Sequence, residues 1–310
     1  MSHVLILGTG GTIAGTASDP GRSWAYQAAQ LSVEQLVAAV PELAAVSLAT
    51  QQVAQIDSKD MGWSTWQALG RAIEAALLDD AVSAIVVTHG TDTLEETACL
   101  LHALHDGSKP IVLTAAMRPA TAPDADGPAN LLQAVRVAQS AAHRHEGGVV
   151  AALAGSIWSA RDVRKAHSHA TDAFDGGGAE ALDESNPWPQ PEARGWQGLL
   201  RNERLPKVEV ITSHADADGW LVDAALGHAR AVGVRLDGLV VACTGHGTIH
   251  QGLEAALQRA RDAGVTVWRG SRVARGGVQP RDGDALPAAG NWTPAQARVR
   301  LVLELLNARR

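Results

Sequence analysis

Short apolar runs alternate with segments of helical spacing along nearly the whole chain, and this alternation constrains the fold more than any other feature. In the first half, the apolar runs lie at residues 4–7, 46–53, 82–88, 110–116 and 147–155, with helical patterns between them. Strands that alternate with helices form a parallel sheet, because each helix returns the chain across the sheet. The pattern therefore predicts an α/β protein with a doubly wound, mostly parallel sheet in its larger N-terminal domain.

A proline-rich stretch divides this pattern into two parts. Prolines at positions 187, 189, 191 and 206 fall where periodicity is weak, which is typical of a linker. The alternation resumes at residue 207 and ends in a helical pattern at 293–310. The chain, at 310 residues, is also longer than one hydrophobic core usually serves. We predict an N-terminal domain over 1–185, a linker over 186–206 and a smaller C-terminal α/β domain over 207–310.

Charge and cysteine content narrow the class of function. The formal net charge is -7 and basic residues form no long run, so neither nucleic acid nor a membrane is an expected partner. Cys99 and Cys243 lie far apart and outside any C-x-x-C pair, so we expect neither a disulfide framework nor a cysteine zinc site. The charge balance favours a small molecule as the partner. The N-terminus shows a strand pattern without a signal-peptide pattern, which predicts a cytoplasmic protein.

The glycine-rich stretch LGTGGTIAG, residues 7–15, follows the first strand and is the first candidate site. It lacks the third glycine of a dinucleotide fingerprint, where Ile13 stands, and no Gly-Lys-Ser/Thr follows as in a phosphate-binding loop. In isolation it is typical of a structural turn. Thr12 remains a candidate, because glycines let a ligand approach the backbone closely. The aperiodic stretch that follows, with Trp24 and Tyr26, is expected to cover a site.

Polar residues elsewhere give three further candidates, each with an alternative explanation. Thr91 and Asp92 follow the strand at 82–88, where a doubly wound sheet binds ligands, although helix capping explains the same residues. Residues 57–60 are typical either of a cluster that binds a zwitterionic ligand or of a solvated turn. Lys165 lies between Arg164 and histidines at 167 and 169, which is also typical of a basic surface patch. These histidines have no partner at metal spacing, so no metal site is predicted.

Taken together, these stretches resemble the bacterial-type L-asparaginase family, which includes the glutaminase-asparaginases. The resemblance rests on TGGTIAG at 9–15 and VVTHGTDTLEETA at 86–98, in the family's order, and on IDSKDM, AAMRPATAPDADGPANL and ARDVRKAHS. It covers nearly the whole chain. It implies an amidohydrolase that converts L-asparagine to L-aspartate and ammonia through a threonine nucleophile and an acyl-enzyme intermediate. It also implies a homotetramer or homodimer that needs no cofactor.

The resemblance implies catalytic roles in the N-terminal domain. Thr12 is the primary nucleophile, and Tyr26 contacts and helps to activate it. Thr91, Asp92 and Lys165 match a second triad, in which Lys165 activates Thr91 or a water molecule. Hydroxyl nucleophiles need such activation because they are weak on their own. An isolated lysine is charged at neutral pH, so Lys165 needs burial or neighbours to act as a base, or else stays charged and tunes the electrostatics.

The same motifs imply the contacts with substrate. Asp92 and Ser58 match the residues that hold the substrate's α-ammonium and α-carboxylate, and Asp57 lies beside them. Gly11 matches a position that contacts the substrate or its oxyanion, for which a glycine-rich turn can supply N–H donors. Ala116 matches the residue that accepts a hydrogen bond from the substrate's amide nitrogen.

The chain departs from the family pattern in its C-terminal domain. Well-studied periplasmic members contribute an Asn and a Glu from this domain to the neighbouring subunit's site. Here CTGHGTIH places His246 at the Asn position, and GSRVARGGVQPRDGD contains no Glu. A dual glutaminase-asparaginase is the alternative activity, because one methylene is worth only about 1–3 kcal/mol in a pocket. A non-catalytic binding module is the alternative from another class, and the joint presence of the five catalytic candidates disfavours it.

Overall fold

The computed structural model describes residues 2–19, 25–183 and 187–308. The chain forms two compact units, residues 1–200 and 201–310. Both units have the predicted α/β architecture, with parallel strands joined by helices. No helix within the described ranges is long and apolar enough to cross a membrane.

The first unit contains ten strands and four complete helices among its described residues. The strands are β1 (His3–Gly10), β2 (Thr16–Ala17), β3 (Tyr26–Gln27), β4 (Leu48–Ile56), β5 (Val82–Thr88), β6 (Pro110–Thr114), β7 (Gly148–Leu153), β8 (Ser156–Ser159), β9 (Arg164–Lys165) and β10 (Phe174–Asp175). The helices are α1 (Val33–Ala38), α2 (Trp63–Leu78), α3 (Leu94–Leu104) and α4 (Gly127–His143). A fifth helix, α5 (Gln197–Arg201), reaches the boundary between the units.

The main sheet of the first unit positions the candidate site. Its strand order is β4-β1-β5-β6-β7-β8, and only β8 pairs antiparallel. The chain moves from β1 to β4 on one side and then returns to place β5 on the other side of β1. The carboxyl ends of β1 and β5 therefore form the topological switch point, where doubly wound sheets bind their ligands.

The span predicted as a linker is, in its described part, largely an ordered portion of the first unit. Trp188 and Trp196 are buried. The backbone N–H groups of residues 192–195 donate hydrogen bonds to the carbonyls of residues 102–105, at the end of α3. The last carbonyls of a helix have no partners within it, so this stretch satisfies groups that would otherwise need water. Asn186, its first residue, lies outside the described residues.

The second unit is a smaller parallel sheet with its own core. Its strands are β11 (Val208–Thr212), β12 (Gly238–Cys243) and β13 (Thr266–Ser271), in that order across the sheet. Its helices are α6 (Trp220–Ala231), α7 (Gln251–Asp262) and α8 (Pro294–Ala308). Leu239 and Val241 of β12 are fully buried beside Leu253 and Leu257 of α7. The helix predicted at 293–310 is thus present, and residues 309 and 310 lie outside the described part.

Candidate active site

The turn after β1 and the turn after β5 meet backbone to backbone. Gly11 has a φ of 83°, in the left-handed region that favours glycine, and it precedes a 3-10 turn at Thr12–Ala14. A Cβ on Gly11 would collide with Gly90, and a Cβ on Gly90 would collide with Ser58. Glycine at 11 and at 90 is therefore what lets three segments of the chain converge at the switch point.

Thr12 lies at this convergence and contacts Tyr26. The Oγ1 atom of Thr12 lies 2.7 Å from the hydroxyl oxygen of Tyr26, within hydrogen-bond distance. Thr12 is buried. Tyr26 is held on a two-stranded ribbon, because Ala17 of β2 pairs with it and Thr16 pairs with Gln27. Trp24, which the sequence predicts in the same covering stretch, lies outside the described residues.

Lys165 joins Thr91 and Asp92 into a second cluster. Its ammonium donates to Thr91 Oγ1 at 3.0 Å and to Asp92 Oδ1 at 2.7 Å. The Lys165 side chain is 19% exposed, whereas that of Asp92 is 53% exposed. The backbone N–H of Lys165 donates to Glu95 Oε2 at 2.9 Å, which ties β9 to the first turn of α3. Lys165 is therefore fixed at both its backbone and its ammonium.

The two clusters open into one small cavity of about 280 Å³. Nine of the described residues line it: Thr12, Tyr26, Thr91, Asp92, Met117, Arg118, Lys165, Ser168 and His169. Sites for drug-sized ligands have volumes of about 300–1,000 Å³, so this cavity suits a smaller molecule. The structure thus brings together all five residues that the sequence predicts to be catalytic.

The start of α3 shows that helix capping does not account for the Thr91–Thr93 motif. Thr93 is the N-cap residue but makes no side-chain cap hydrogen bond. Its hydroxyl donates instead to the Ser58 carbonyl at 2.8 Å. The Asp92 N–H donates to Ser58 Oγ at 3.3 Å. Ser58 is buried, so it joins the loop after β4 to the loop after β5.

Other predicted substrate contacts lie beside the cavity and are not among its lining residues. Asp57 accepts from the Lys59 ammonium at 2.7 Å. Gly11 donates its N–H to the Ile56 carbonyl at 2.8 Å, so that donor is already engaged. Ala116 is buried, directly before Met117, a cavity-lining residue whose N–H donates to Asp126 Oδ2 at 2.9 Å.

Four of the residues that line the cavity were not predicted as site residues: Met117, Arg118, Ser168 and His169. Arg118 lines the cavity and donates to Asp124 Oδ2 at 3.2 Å and to the His169 carbonyl at 2.8 Å. It therefore holds two rim segments together. His169 was considered only as a metal ligand or a patch residue. Arg118 belongs to the motif AAMRPATAPDADGPANL, which could have indicated it as a site residue. Its hydrogen bond with the His169 carbonyl could not be predicted from a motif, because the two residues are far apart in sequence.

The basic-patch explanation does not describe Arg164. Arg164 is buried, and its guanidinium fills the space where Gly177 would otherwise carry a side chain. Phe174 and Asp175 of β10 pair with Lys165 and Arg164 of β9. The pairing directs adjacent side chains to opposite faces, so Lys165 reaches the cavity while Arg164 packs within the fold.

The second unit holds His246 and Cys243. His246 is exposed, and its Nε2 accepts from the Gln279 N–H at 3.1 Å. Its Nδ1 lies 3.0 Å from the Arg281 guanidinium. Burial raises the pKa of the Cys243 thiol to about 12, so the thiol stays protonated and is not a nucleophile. Both cysteines are thiols outside any disulfide.

Comparison with known proteins identifies the family. Residues 3–188 match the model "Asparaginase, N-terminal", and residues 207–309 match "Glutaminase/Asparaginase C-terminal domain". The chain belongs to the asparaginase family. The resemblance inferred from the motifs is therefore confirmed over both units.

Individual asparaginases align with nearly the whole chain. L-asparaginase 2 of Bacillus subtilis is 34% identical over 98% of this chain and 83% of that protein. The glutaminase-asparaginase of Pseudomonas fluorescens is 35% identical over 98% of this chain and 86% of that protein. The crystal structure of a probable cytoplasmic L-asparaginase from Campylobacter jejuni matches with a TM-score of 0.87 at 34% identity, covering 98% of this chain and 95% of that one.

Proposed function

We propose that this asparaginase-family protein hydrolyses the side-chain amide of L-asparagine to L-aspartate and ammonia. One observation carries the proposal. Two threonine hydroxyls, each with its own partner, open into one small cavity at the switch point of the sheet. Such an arrangement suits a reaction with two successive acyl-transfer steps. Membership of the family supports the same reaction class.

In the first step, Thr12 Oγ attacks the amide carbon of the substrate. The Thr12 proton passes to the Tyr26 hydroxyl oxygen, while the Tyr26 phenol gives its own proton to the leaving nitrogen. The C–N bond then breaks, ammonia leaves, and the aspartyl group stays bound to Thr12 as an ester. Tyr26 lies at the 2.7 Å separation that proton transfer from a hydroxyl requires.

The turn after β1 contributes a donor for the oxyanion of this step. The N–H of Thr12 begins a 3-10 turn, and the first N–H groups of a helical turn have no acceptor within that turn. The N–H of Gly11 donates to Ile56. We therefore assign the donor role to Thr12 and keep for Gly11 the close approach to substrate that its missing side chain allows.

In the second step, a water molecule attacks the ester carbonyl. Lys165 donates to Thr91 Oγ1 at 3.0 Å, which leaves the Thr91 hydroxyl proton free to point into the cavity. Thr91 can therefore orient the water, while the Lys165 charge stabilises the developing oxyanion. The ester C–O bond breaks as the proton lost by the attacking water passes to the Thr12 oxygen, and aspartate leaves.

Recognition of the amino-acid end follows from the charged groups at the cavity. The half-exposed Asp92 carboxylate is a partner for the substrate's α-ammonium. Ser58, with Asp57 beside it, is proposed to hold the α-carboxylate through the adjacent loop, and Ala116 to accept from the amide nitrogen. A glutamine side chain is one methylene longer, so dual glutaminase-asparaginase activity is the second candidate; a relative of that name is 35% identical.

We also propose a cytoplasmic location and a homotetramer or homodimer. Two buried cysteine thiols outside any disulfide and a structural relative described as a probable cytoplasmic L-asparaginase support the location. A relative from Haemophilus influenzae is named a probable L-asparaginase, periplasmic, so cell fractionation is the direct measurement. The oligomer is proposed from the family resemblance.

Ammonia release from L-asparagine and from L-glutamine tests the proposed function. Thr12→Ala and Thr91→Ala are each expected to lower kcat by at least ~10²-fold, the lower end of acid–base and nucleophile effects. Thr50→Ala is the matched control, because the Thr50 hydroxyl bonds Glu34 at the surface. Lys165→Met is expected to lose most turnover. Lys207→Met is its control, because the Lys207 ammonium pairs with Glu209.

Two results would contradict the proposal. The first is a folded wild-type protein that releases ammonia from neither amide. The second is a Thr12→Ala variant that retains full activity. The ratio of kcat/KM for the two amides decides between an asparaginase and a dual enzyme.

A further inference from the structure

A chain of buried hydrogen bonds lies behind the loop that carries Thr91. The indole N–H of Trp66 on α2 donates to Thr97 Oγ1 on α3 at 2.8 Å. Thr97 Oγ1 lies 2.9 Å from His89 Nε2, and His89 Nδ1 lies 2.7 Å from the Gly90 carbonyl oxygen. His89 and Thr97 are fully buried, and Trp66 is nearly so. The proposed reaction uses none of these side chains.

The chemistry of the end groups fixes the direction of every hydrogen bond in this chain. An indole nitrogen can only donate, and a carbonyl oxygen can only accept. Thr97 Oγ1 accepts from Trp66, so its own proton is available to donate to His89 Nε2. His89 Nε2 is then the acceptor nitrogen of the ring, and Nδ1 carries the proton that is donated to Gly90. The chain therefore selects a single tautomer of His89.

Burial keeps the ring in the neutral form that this order requires. It lowers the pKa of His89 from 6.5 to about 4, so His89 is uncharged at neutral pH. A charged ring would carry a proton on both nitrogens and would no longer accept from Thr97.

The end of the chain acts on the peptide that leads into Thr91. The carbonyl that His89 holds belongs to the Gly90–Thr91 peptide bond, so its orientation sets where the Thr91 side chain begins. Gly90 has little freedom on its other sides, because it is in close contact with Gly11 and Ser58. The backbone N–H of His89 also donates to the Thr114 carbonyl at 2.8 Å, and this hydrogen bond anchors the backbone just before Gly90.

We propose that Trp66, Thr97 and His89 form a proton-ordered chain that positions the Gly90–Thr91 peptide and thereby aims the Thr91 hydroxyl at Lys165. His89 and Thr97 are positioning residues, since they reach the reacting atoms only through Gly90. The role assigned to Thr91 rests on the proposed function, whereas the tautomer of His89 does not.

Removal of the central hydroxyl tests the positioning role. Thr97→Val keeps the side-chain shape and deletes the link between Trp66 and His89. Because a misplacement of 1 Å can cost ~10²-fold in rate, we expect a fall in kcat of about tenfold for the partial loosening of Thr91. KM for L-asparagine is expected to stay within about twofold, because the other cavity walls are unchanged. Thr97→Ser restores the hydroxyl and is expected to recover kcat to within about twofold of wild type.

Ser213→Ala is the control for lost stability. Ser213 is also a buried hydroxyl residue, but it lies in the second unit, where its Oγ accepts a hydrogen bond from the His250 N–H at 3.0 Å. Urea unfolding of Thr97→Val and Ser213→Ala gives the loss of stability in each variant. The proposal requires that Thr97→Val lowers kcat by more than its loss of stability explains, and that Ser213→Ala leaves kcat unchanged. Equal kcat in the two variants, or no rescue by Thr97→Ser, would overturn it.

Nitrogen-15 NMR of the histidine side chains tests the chain without any assay of activity. The wild-type spectrum is expected to show His89 with its proton on Nδ1, with the signal assigned by its absence in His89→Gln. A proton on Nε2 would overturn the proposal. Inactivity of the wild type on L-asparagine would instead overturn the proposed function, and the NMR result would still decide the direction of the chain.

Discussion

At the residue scale, the site depends on a repeated pair, a glycine followed by a threonine. Gly11 precedes Thr12 and Gly90 precedes Thr91, and the two glycines are in contact. Their contact brings the hydroxyl-bearing residues of two different loops to the same cavity. Any side chain at either glycine would push the loops apart. The glycines therefore contribute to the site by lacking a side chain, which lets the two loops come into contact.

His89 gives a prediction about acid stability at this same scale. An unfolded histidine has a pKa near 6.5, so the unfolded chain binds a proton at higher pH than the folded chain, where burial lowers the pKa to about 4. The contribution of His89 to the free energy of unfolding is constant above pH 7, decreases as the pH falls from 6.5 to 4, and is constant again below pH 4. At about 1.4 kcal/mol for each pKa unit, the total loss is about 3 kcal/mol.

Urea unfolding at a series of pH values measures this contribution. His89→Gln is expected to reduce the decrease in stability between pH 7 and pH 4, whatever its stability at pH 7. Burial also lowers the pKa of His105, so His105→Gln shows how much of the decrease belongs to a second buried histidine. The same pH dependence in wild type and in His89→Gln would show that His89 does not titrate in this way.

At the scale of elements, the first two turns of α3 organise the site. Thr93 holds the loop that follows β4 through the Ser58 carbonyl, Glu95 holds β9 through the Lys165 N–H, and Thr97 contacts His89. Three neighbouring segments are thus attached to one helix end. A shift of α3 would therefore move Thr91, Lys165 and Ser58 together rather than separately.

Glu95 provides the test of this arrangement. Glu95→Ala removes the acceptor for the Lys165 N–H, so β9 is expected to move away from α3 and kcat to fall by about tenfold or more, given the steep dependence of rate on position. Glu95→Gln keeps an oxygen acceptor and is expected to retain most of the activity. Steady-state kinetics on L-asparagine with both variants measures the difference.

Glu34→Ala is the control for the loss of an acidic residue in the first turn of a helix. Glu34 occupies that position in α1, where its charge interacts favourably with the helix dipole and its carboxylate accepts a hydrogen bond from Thr50. If Glu95→Ala is no less active than Glu34→Ala, then Glu95 does not position Lys165. An inactive Glu95→Gln would indicate that the charge, and not the hydrogen bond, is what matters.

The sequence predicted those elements whose pattern is long enough to show a period. The strands and helices of both sheets lie near their predicted positions. The ribbons β2–β3 and β9–β10 have two residues in each strand, too few for a period. Capping and site formation also require the same residue types, so the role of Thr93 could be seen only from its contact with Ser58.

The sequence predicted which residues form the site but not how they are arranged in space. The motifs identified Thr12, Thr91 and Lys165, but the Lys165 ammonium meets Thr91 across 74 positions of sequence. The Trp66, Thr97 and His89 chain likewise joins two helices and a loop. Such contacts depend on tertiary packing, which a single sequence does not reveal without the fold.

At the scale of the whole molecule, the candidate chemistry lies entirely in the first unit. All nine described residues that line the cavity precede residue 201. The second unit has a separate core and contributes none of the groups that the proposed reaction uses. The family resemblance implies a contribution from this unit to a neighbouring subunit's site, and the chain departs from that pattern by carrying the exposed His246 at the family's Asn position.

If the second unit reaches a neighbouring subunit's site, as the family resemblance implies, activity depends on assembly. Light scattering after gel filtration is expected to give two or four times the chain mass of 32.3 kDa. If a second copy completes each site, dilution below the dissociation constant of the assembly lowers specific activity by mass action, and reconcentration restores it. Mass photometry at the same concentrations shows whether the loss of activity follows the loss of oligomer. A monomer with full specific activity at every dilution would instead mean that the first unit of one chain forms the whole site.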